Sequence, residues 1–281
     1  MRTANRRAWQ ASPLTYILLI VSGLVSVFPL YFMFVIATKR NDNIHDTPPP
    51  LLPGGNFGDN FGRVLDNEHA AFIYGLVNSI IVSTAVTAGV VLFGSLAGFA
   101  FAKLNFRGRN ALLLVIIGTM MVPTQLGVIP LYMMMVNWFG WNGDLKAVIV
   151  PFLVTGFGVF MMRQYASQSV SDELIEAARV DGCSTFRIFW SIVLPILRPA
   201  AAVLGLLTFM QTWNDFVWPF IILNDDTPTV QMSLRLLSQA YYTDYAQVFA
   251  ATAVATVPLI LVFIIFGKQI IGGIMEGAVK S

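Results

Sequence analysis

Charge is what this chain has least of: only 11% of its 281 residues are charged. A soluble globular chain carries about 25% charged and about 45–50% apolar residues. A soluble enzyme, a disordered protein and a nucleic-acid-binding module are therefore poor readings. Cysteine is nearly absent too; Cys183 stands alone, so no internal disulfide and no thiolate-built metal cluster can form. The only histidines, His45 and His69, fall in one polar segment. The net charge is +2, without a basic block that would attract nucleic acid. No GxxxxGK[ST] loop occurs, so ATP hydrolysis by that motif is excluded within the chain. What is plentiful is apolar: 56% hydrophobic residues and a mean hydropathy of +0.70. An integral membrane protein remains.

A helix needs ~20 mostly apolar residues to cross ~30 Å of hydrocarbon. The charge-poor stretches are Leu14–Thr38, Tyr74–Ala102, Ala111–Asn137, Ala147–Met162, Pro199–Leu223 and Val248–Gly267, and Asp215 is the one ionisable acid or base inside them. Transmembrane strands would be short and alternating, whereas these runs are long and continuous. The expected fold is all-α, a polytopic bundle of six spans forming one domain over residues 1–281. The fourth run has only 16 residues between Lys146 and Arg163, but such residues snorkel and flanking positions can lengthen the helix. The first span follows Arg2, Arg6 and Arg7 yet has too long an apolar core and no small-residue cleavage site, so it reads as an uncleaved anchor that Pro29 should kink.

Charge sets the orientation. With the N-terminus inside, residues 1–13, 103–110, 163–198 and 268–281 face the cytoplasm and carry twelve of the seventeen basic residues. The positive-inside rule then supports six spans with both termini cytoplasmic. Five spans would put Arg163, Arg179, Arg187 and Arg198 outside.

Between the spans, Lys39 to Ile73 contains Pro48, Pro49, Pro50, Pro53, Gly54 and Gly55, which predicts an irregular outer loop. Asn224 to Gln247 interleaves Val230, Met232, Leu234, Leu236 and Leu237 with polar residues, as an amphipathic stretch on the outer mouth would. Gly94 and Gly98 form a small-xxx-small pair suited to close helix packing. Pro123 and Pro130 should break the third span, with Thr124 and Gln125 beside the first break. Such a break persists where protein or a water-filled cavity satisfies the freed backbone; a gate helix and a passive kink both fit.

Arg163 to Arg198 carries the most specific pattern. Ser171 can cap a helix over Asp172–Val180, with Asp172 and Glu173 complementing its positive end. Gly182 would stop it, and Ser184 would cap a second helix that Pro195 terminates or kinks. Leu174, Ile175, Phe186, Ile188, Phe189 and Trp190 would leave an apolar patch of the kind that marks a partner site.

Glu176-Ala177-Ala178, three residues, Gly182, nine residues, then Ile192-Val193-Leu194-Pro195 resembles the EAA motif of membrane subunits of binding-protein-dependent ABC importers. Pro29-Leu30, Asn78-Ser79, Pro123, Trp213-Asn214-Asp215-Phe216-Val217-Trp218-Pro219 and the ending Gly272 to Lys280 resemble the carbohydrate-uptake subgroup and, within it, the MalG-like member of the permease pair. The resemblance implies a type I importer permease fold in a bacterial inner membrane. It also implies a second permease subunit, a homodimeric cytoplasmic ATPase that binds ATP and Mg, and an extracytoplasmic sugar-binding protein. The chain itself would bind no cofactor or metal and have no catalytic residue. Coupling to the ATPase would fall to Glu176, Ala177, Ala178, Gly182, Ile192, Leu194 and Pro195, with Gly277 and Lys280 of the tail reaching the same partner. The solute would be a carbohydrate, an oligosaccharide first, with glycerol phosphate as an alternative.

Candidates for the substrate path are Pro123, Thr124, Gln125, Trp213, Asn214, Asp215 and Trp218. A carboxylate at mid-bilayer costs roughly 2.5–3.5 kcal/mol on insertion scales, which singles out Asp215, although an Asn-Asp pair can also stabilise a helix break before Pro219. An intramembrane aspartyl protease would need a second membrane Asp, and a serine–His dyad a membrane His. An ion-coupled transporter would need buried ionisable groups, of which the spans hold one.

Overall fold

The computed structural model describes residues 12–44, 47–238 and 243–279, with side chains up to 267. It divides into two compact units, residues 1–67 with 237–254, and residues 68–236 with 255–281.

In the first unit, α1 (Pro13–Ala37) starts at Ser12, whose side chain accepts from the Thr15 N–H, and runs unbroken through Pro29. The Pro-Gly stretch after it is irregular, as expected, but the rest of that segment is not. Residues Phe57–Leu65 form α2, and Phe57, Phe61 and Val64 give the i, i+4, i+7 signal that identifies it. Asn60 of α2 donates to the carbonyls of Ala37 and Lys39 at 2.8 and 2.7 Å. Arg63 pairs with Asp244, and Gln247 donates to the Arg63 carbonyl at 2.8 Å. These bonds tie the end of α1 and the start of α13 (Tyr245–Val279) to α2.

The second unit is built on α3 (Phe72–Lys103). Against it pack α7 (Gly156–Ser169) and α10 (Leu194–Trp213), and α8 (Asp172–Val180) and α9 (Thr185–Ile188) contribute buried residues to the same core. The expected glycine seam is present: a Cβ at Gly94 would meet the Gly158 backbone at 3.2 Å, and one at Gly98 the Met162 and Arg163 backbone at 2.7 Å. Close approach of two backbones is how membrane helices gain dispersion energy where burial from water supplies none.

Among the described residues, five helices are long and apolar enough to span a membrane, or six when Arg109–Met120 and Thr124–Trp138 count as one span bent by 95°. That bent pair is the third expected span. Helix α4 (Arg109–Met120) ends at Met121, Pro123 begins a tight turn, and the chain resumes as α5 (Val128–Met133), which widens into a π turn over Met134–Trp138. The short fourth run is corrected in length: α6 (Lys146–Ile149), a tight turn and α7 make a 24-residue candidate span that carries Arg163 inside it. The guanidinium of Arg163 donates to Gln164 Oε1 at 2.6 Å.

The fifth expected span, Pro199–Leu223, is displaced. A helical run from Thr185 to Trp213 merges α9 with α10 through a π turn at Phe189–Val193, so Pro195 neither ends nor separates the second short helix. A wider turn just before a proline relieves the collision of its ring with the carbonyl four residues back. The run stops at Asn214, and α11 (Val217–Ile222) follows. The outer amphipathic stretch forms α12 (Val230–Leu237).

Candidate docking site

Helix α8 is fixed at both ends by the residues its sequence advertises. Ser171 Oγ accepts from the Leu174 N–H at 3.4 Å. At the other end, Cys183 N–H bonds Ala178 O at 2.9 Å and Gly182 N–H bonds Arg179 O at 3.0 Å. That is the Schellman pattern, with Gly182 as the left-handed residue at φ +77°. A Cβ at Gly182 would meet nothing within 4 Å, so the backbone conformation, and not space, demands glycine there. Ser184 then caps α9 through the Arg187 N–H at 3.3 Å. Lys103, its side chain only 8% exposed, reaches Asp172 Oδ1 at 2.8 Å and pins the start of α8 to the end of α3.

The expected apolar patch is half right. Ile175, Ile188 and Phe189 are buried in one core cluster with residues of α3, α7 and α10, and the Phe189 ring meets that of Phe99 on α3 at 6.0 Å. Leu174, Phe186 and Trp190 remain exposed, joined by Val180 at 88% exposure. Phe186 and Trp190 meet edge to face at 6.0 Å. Glu176 and Ala177 lie on the exposed side, and Ala178 is buried. Ile192, Leu194 and Pro195 are half-buried where the π turn enters α10. The motif thus splits into a presenting half, Glu176 to Gly182, and a packing half. Of the tail, Gly277 falls within α13 and Lys280 lies outside the described residues.

The substrate-path candidates do not share one surface. Pro123, Thr124 and Gln125 are exposed at the bend. Trp213 is buried and stacked on Phe209 at 5.7 Å. Trp218 is buried too, donating from Nε1 to the Ala147 carbonyl at 3.1 Å. Asn214 is exposed but turns its amide back to Met210 O at 2.8 Å. Asp215 is half-buried in the break, beside the N–H groups of Trp218 and Val217 that open α11. Polar residues of a different kind emerge as structural: Asn78, Ser79 and Gln231 bond across elements, and their only sequence signal was Asn78-Ser79 at the head of a span.

Residues 90–273 match the model of the family described as binding-protein-dependent transport system inner membrane component. The chain belongs to that family. The permease is accordingly a multi-pass component of the inner membrane. It is 30% identical to the arabinooligosaccharides transport system permease protein AraQ of Halalkalibacterium halodurans, over 92% of this chain and 93% of that one. It is 28% identical to the sn-glycerol-3-phosphate transport system permease protein UgpE of Yersinia enterocolitica, over 93% and 95%. Its fold matches the crystal structure of a bacterial ABC transporter involved in the import of the acidic polysaccharide alginate, with a TM-score of 0.80, 23% identity, and coverage of 95% of this chain and 98% of that one.

In this permease, Gly182→Ala must hold an L side chain at φ +77°, a penalty of roughly 1–2 kcal/mol. The expected result is a lowered midpoint of thermal unfolding in detergent and weaker recovery of the assembled complex. Gly182→Asn, which tolerates the left-handed region, should lose less. Equal loss in both variants would mean that conformation is not what the position supplies.

Proposed function

We propose that the permease is one of two membrane subunits of an ATP-driven importer that moves a carbohydrate, an oligosaccharide first, delivered by an extracytoplasmic binding protein. The observation that carries this reading is the exposed ridge of α8 and α9 bearing Glu176, Ala177, Val180, Phe186 and Trp190 on a Schellman-terminated helix pair. An exposed ridge that sets Glu176 and its charged neighbours Glu173, Arg179, Asp181 and Arg187 beside apolar side chains suits insertion into a cleft, where the apolar area gives affinity and the charges fix register. A homodimeric cytoplasmic ATPase provides that cleft and binds ATP and Mg; the permease binds no cofactor. Both termini are cytoplasmic, so the ridge and the ATPase lie on the same side. Closure of the ATPase on ATP favours the outward-open bundle, because that state is the one the closed dimer binds better.

The carbohydrate assignment draws on the relatives, whose names include an arabinooligosaccharide system. A glycerol phosphate system is equally present among them and gives the second reading. The test is reconstitution of the four-part complex in proteoliposomes with labelled solutes presented by the cognate binding protein. Uptake should require ATP and the binding protein and be indifferent to an ion gradient. Gradient-driven uptake by this chain without the ATPase would overturn the proposal, and uptake of glycerol phosphate in place of oligosaccharide would decide for the second reading.

A further inference from the structure

Helix α12 does not cap itself. The first N–H groups of a helix have no partner within it, and the Val230 N–H is taken instead by Ser79 Oγ of α3 at 2.8 Å, in a buried contact. One residue earlier on α3, Asn78 Nδ2 donates to the Pro228 carbonyl at 2.9 Å. One turn earlier still, Gly75 leaves the space that Ser233 Oγ and the Thr229 backbone occupy. Gln231 completes the seat by donating to the Trp213 carbonyl at the end of α10, at 3.3 Å.

The same seam holds groups that it leaves unsatisfied. Thr229 Oγ1 and Ser233 Oγ are both at least nine-tenths buried without a hydrogen-bond partner. A buried hydroxyl without a partner has given up its water bonds uncompensated. The closed seam is therefore held by Asn78, Ser79 and Gln231 and opposed by Thr229 and Ser233, which water would satisfy if α12 lifted. Opposed terms of similar size make a contact with two accessible states.

We propose that the seam between α3 and α12 is a latch on the outer mouth, in which Asn78 and Ser79 are positioning residues that hold α12 down in the resting complex and release it when the pathway opens outward. This rests on the transport reading above. Residues on α3 and α12 then act on the gate through α12 and touch no solute.

Two experiments on the reconstituted complex test it. A Cβ at Gly75 would run into Ser233 Oγ and come within 3.0 Å of the Thr229 carbonyl oxygen, so Gly75→Ala should wedge the seam apart and raise ATPase activity in the absence of binding protein. Adding Ser233→Ala, which removes the obstructing hydroxyl, should lower that activity again. No rise with Gly75→Ala, or a rise that Ser233→Ala does not lower, would overturn the latch. Separately, Asn78→Ala with Ser79→Ala should raise ATPase activity in the absence of binding protein by about tenfold, the effect of two ordinary hydrogen bonds on the latch equilibrium, while the stimulated rate is kept. Unchanged basal activity, or a parallel fall of basal and stimulated rates, would assign these residues to folding alone. A wild-type complex without ATP-driven, binding-protein-dependent uptake would instead sink the transport reading itself.

Discussion

Gly98→Leu is expected to remove most of the folded, detergent-extractable permease. A Cβ at this position lies 2.7 Å from Arg163 N, Met162 C and Met162 Cβ, and two of those atoms are backbone, which cannot rotate away. Overpacking a well-filled core costs about 1–3 kcal/mol and at times more, and here the clash opens the contact between α3 and α7, the helices on which the second unit is built. Gly94→Leu should behave similarly but less severely, since its Cβ would meet the Gly158 carbonyl group at 3.2–3.3 Å. Gly205→Ala is the control: its Cβ would reach Thr87 Cγ2 and Val91 Cγ2 at 3.5 Å, an ordinary contact. The check is the folded fraction by size-exclusion chromatography after extraction. A Gly98→Leu protein that elutes like wild type would mean that the two helices can separate without loss.

That seam was readable because spacing alone encodes it: two glycines four apart on an apolar helix. The caps of α8 and α9 were readable for the same reason, Ser171, Gly182 and Ser184 being local signals with local mechanisms. Other features depend on neighbours far away in sequence. Whether Ile175 and Phe189 face a partner or the chain's own core depends on where α3 and α7 sit. The continuation of α9 through Pro195 needs a π turn that no residue type announces. Trp213 and Trp218 stand out in sequence as candidates for the substrate path, yet both fill the interior, Trp218 with its N–H aimed at a carbonyl 71 residues away in sequence. Asn78 and Ser79 carried a family resemblance and no mechanism until Pro228 and Val230 were placed against them.

Glu176→Lys is expected to abolish uptake and co-purification of the ATPase while leaving the permease in the membrane. Glu176 is exposed in the middle of α8 and forms no ion pair among the described residues, and exposed substitutions of that kind change stability by about 0.5 kcal/mol or less. The fold should therefore not register it. Docking should, because removing one partner of a buried, hydrogen-bonded charge pair at an interface costs about 2–5 kcal/mol, roughly 30-fold to more than 1,000-fold in affinity, and reversal adds repulsion. Glu176→Gln, which keeps the shape and loses the charge, should fall between, and Glu173→Lys, on the first turn of the same helix, should largely retain the ATPase. Pull-down of the ATPase with the tagged permease, alongside uptake and a membrane-insertion control, separates these cases. If both uptake and co-purification survive Glu176→Lys combined with Gly182→Trp, which also breaks the Schellman turn, then α8 is not where the ATPase binds. The exposed side around Glu176 mixes Leu174, Ala177, Val180, Phe186 and Trp190 with the charges of Asp172, Glu173, Arg179, Asp181 and Arg187, so the contrast between Glu176→Lys and Glu173→Lys separates a charge read at one position from a response to the net charge of the ridge.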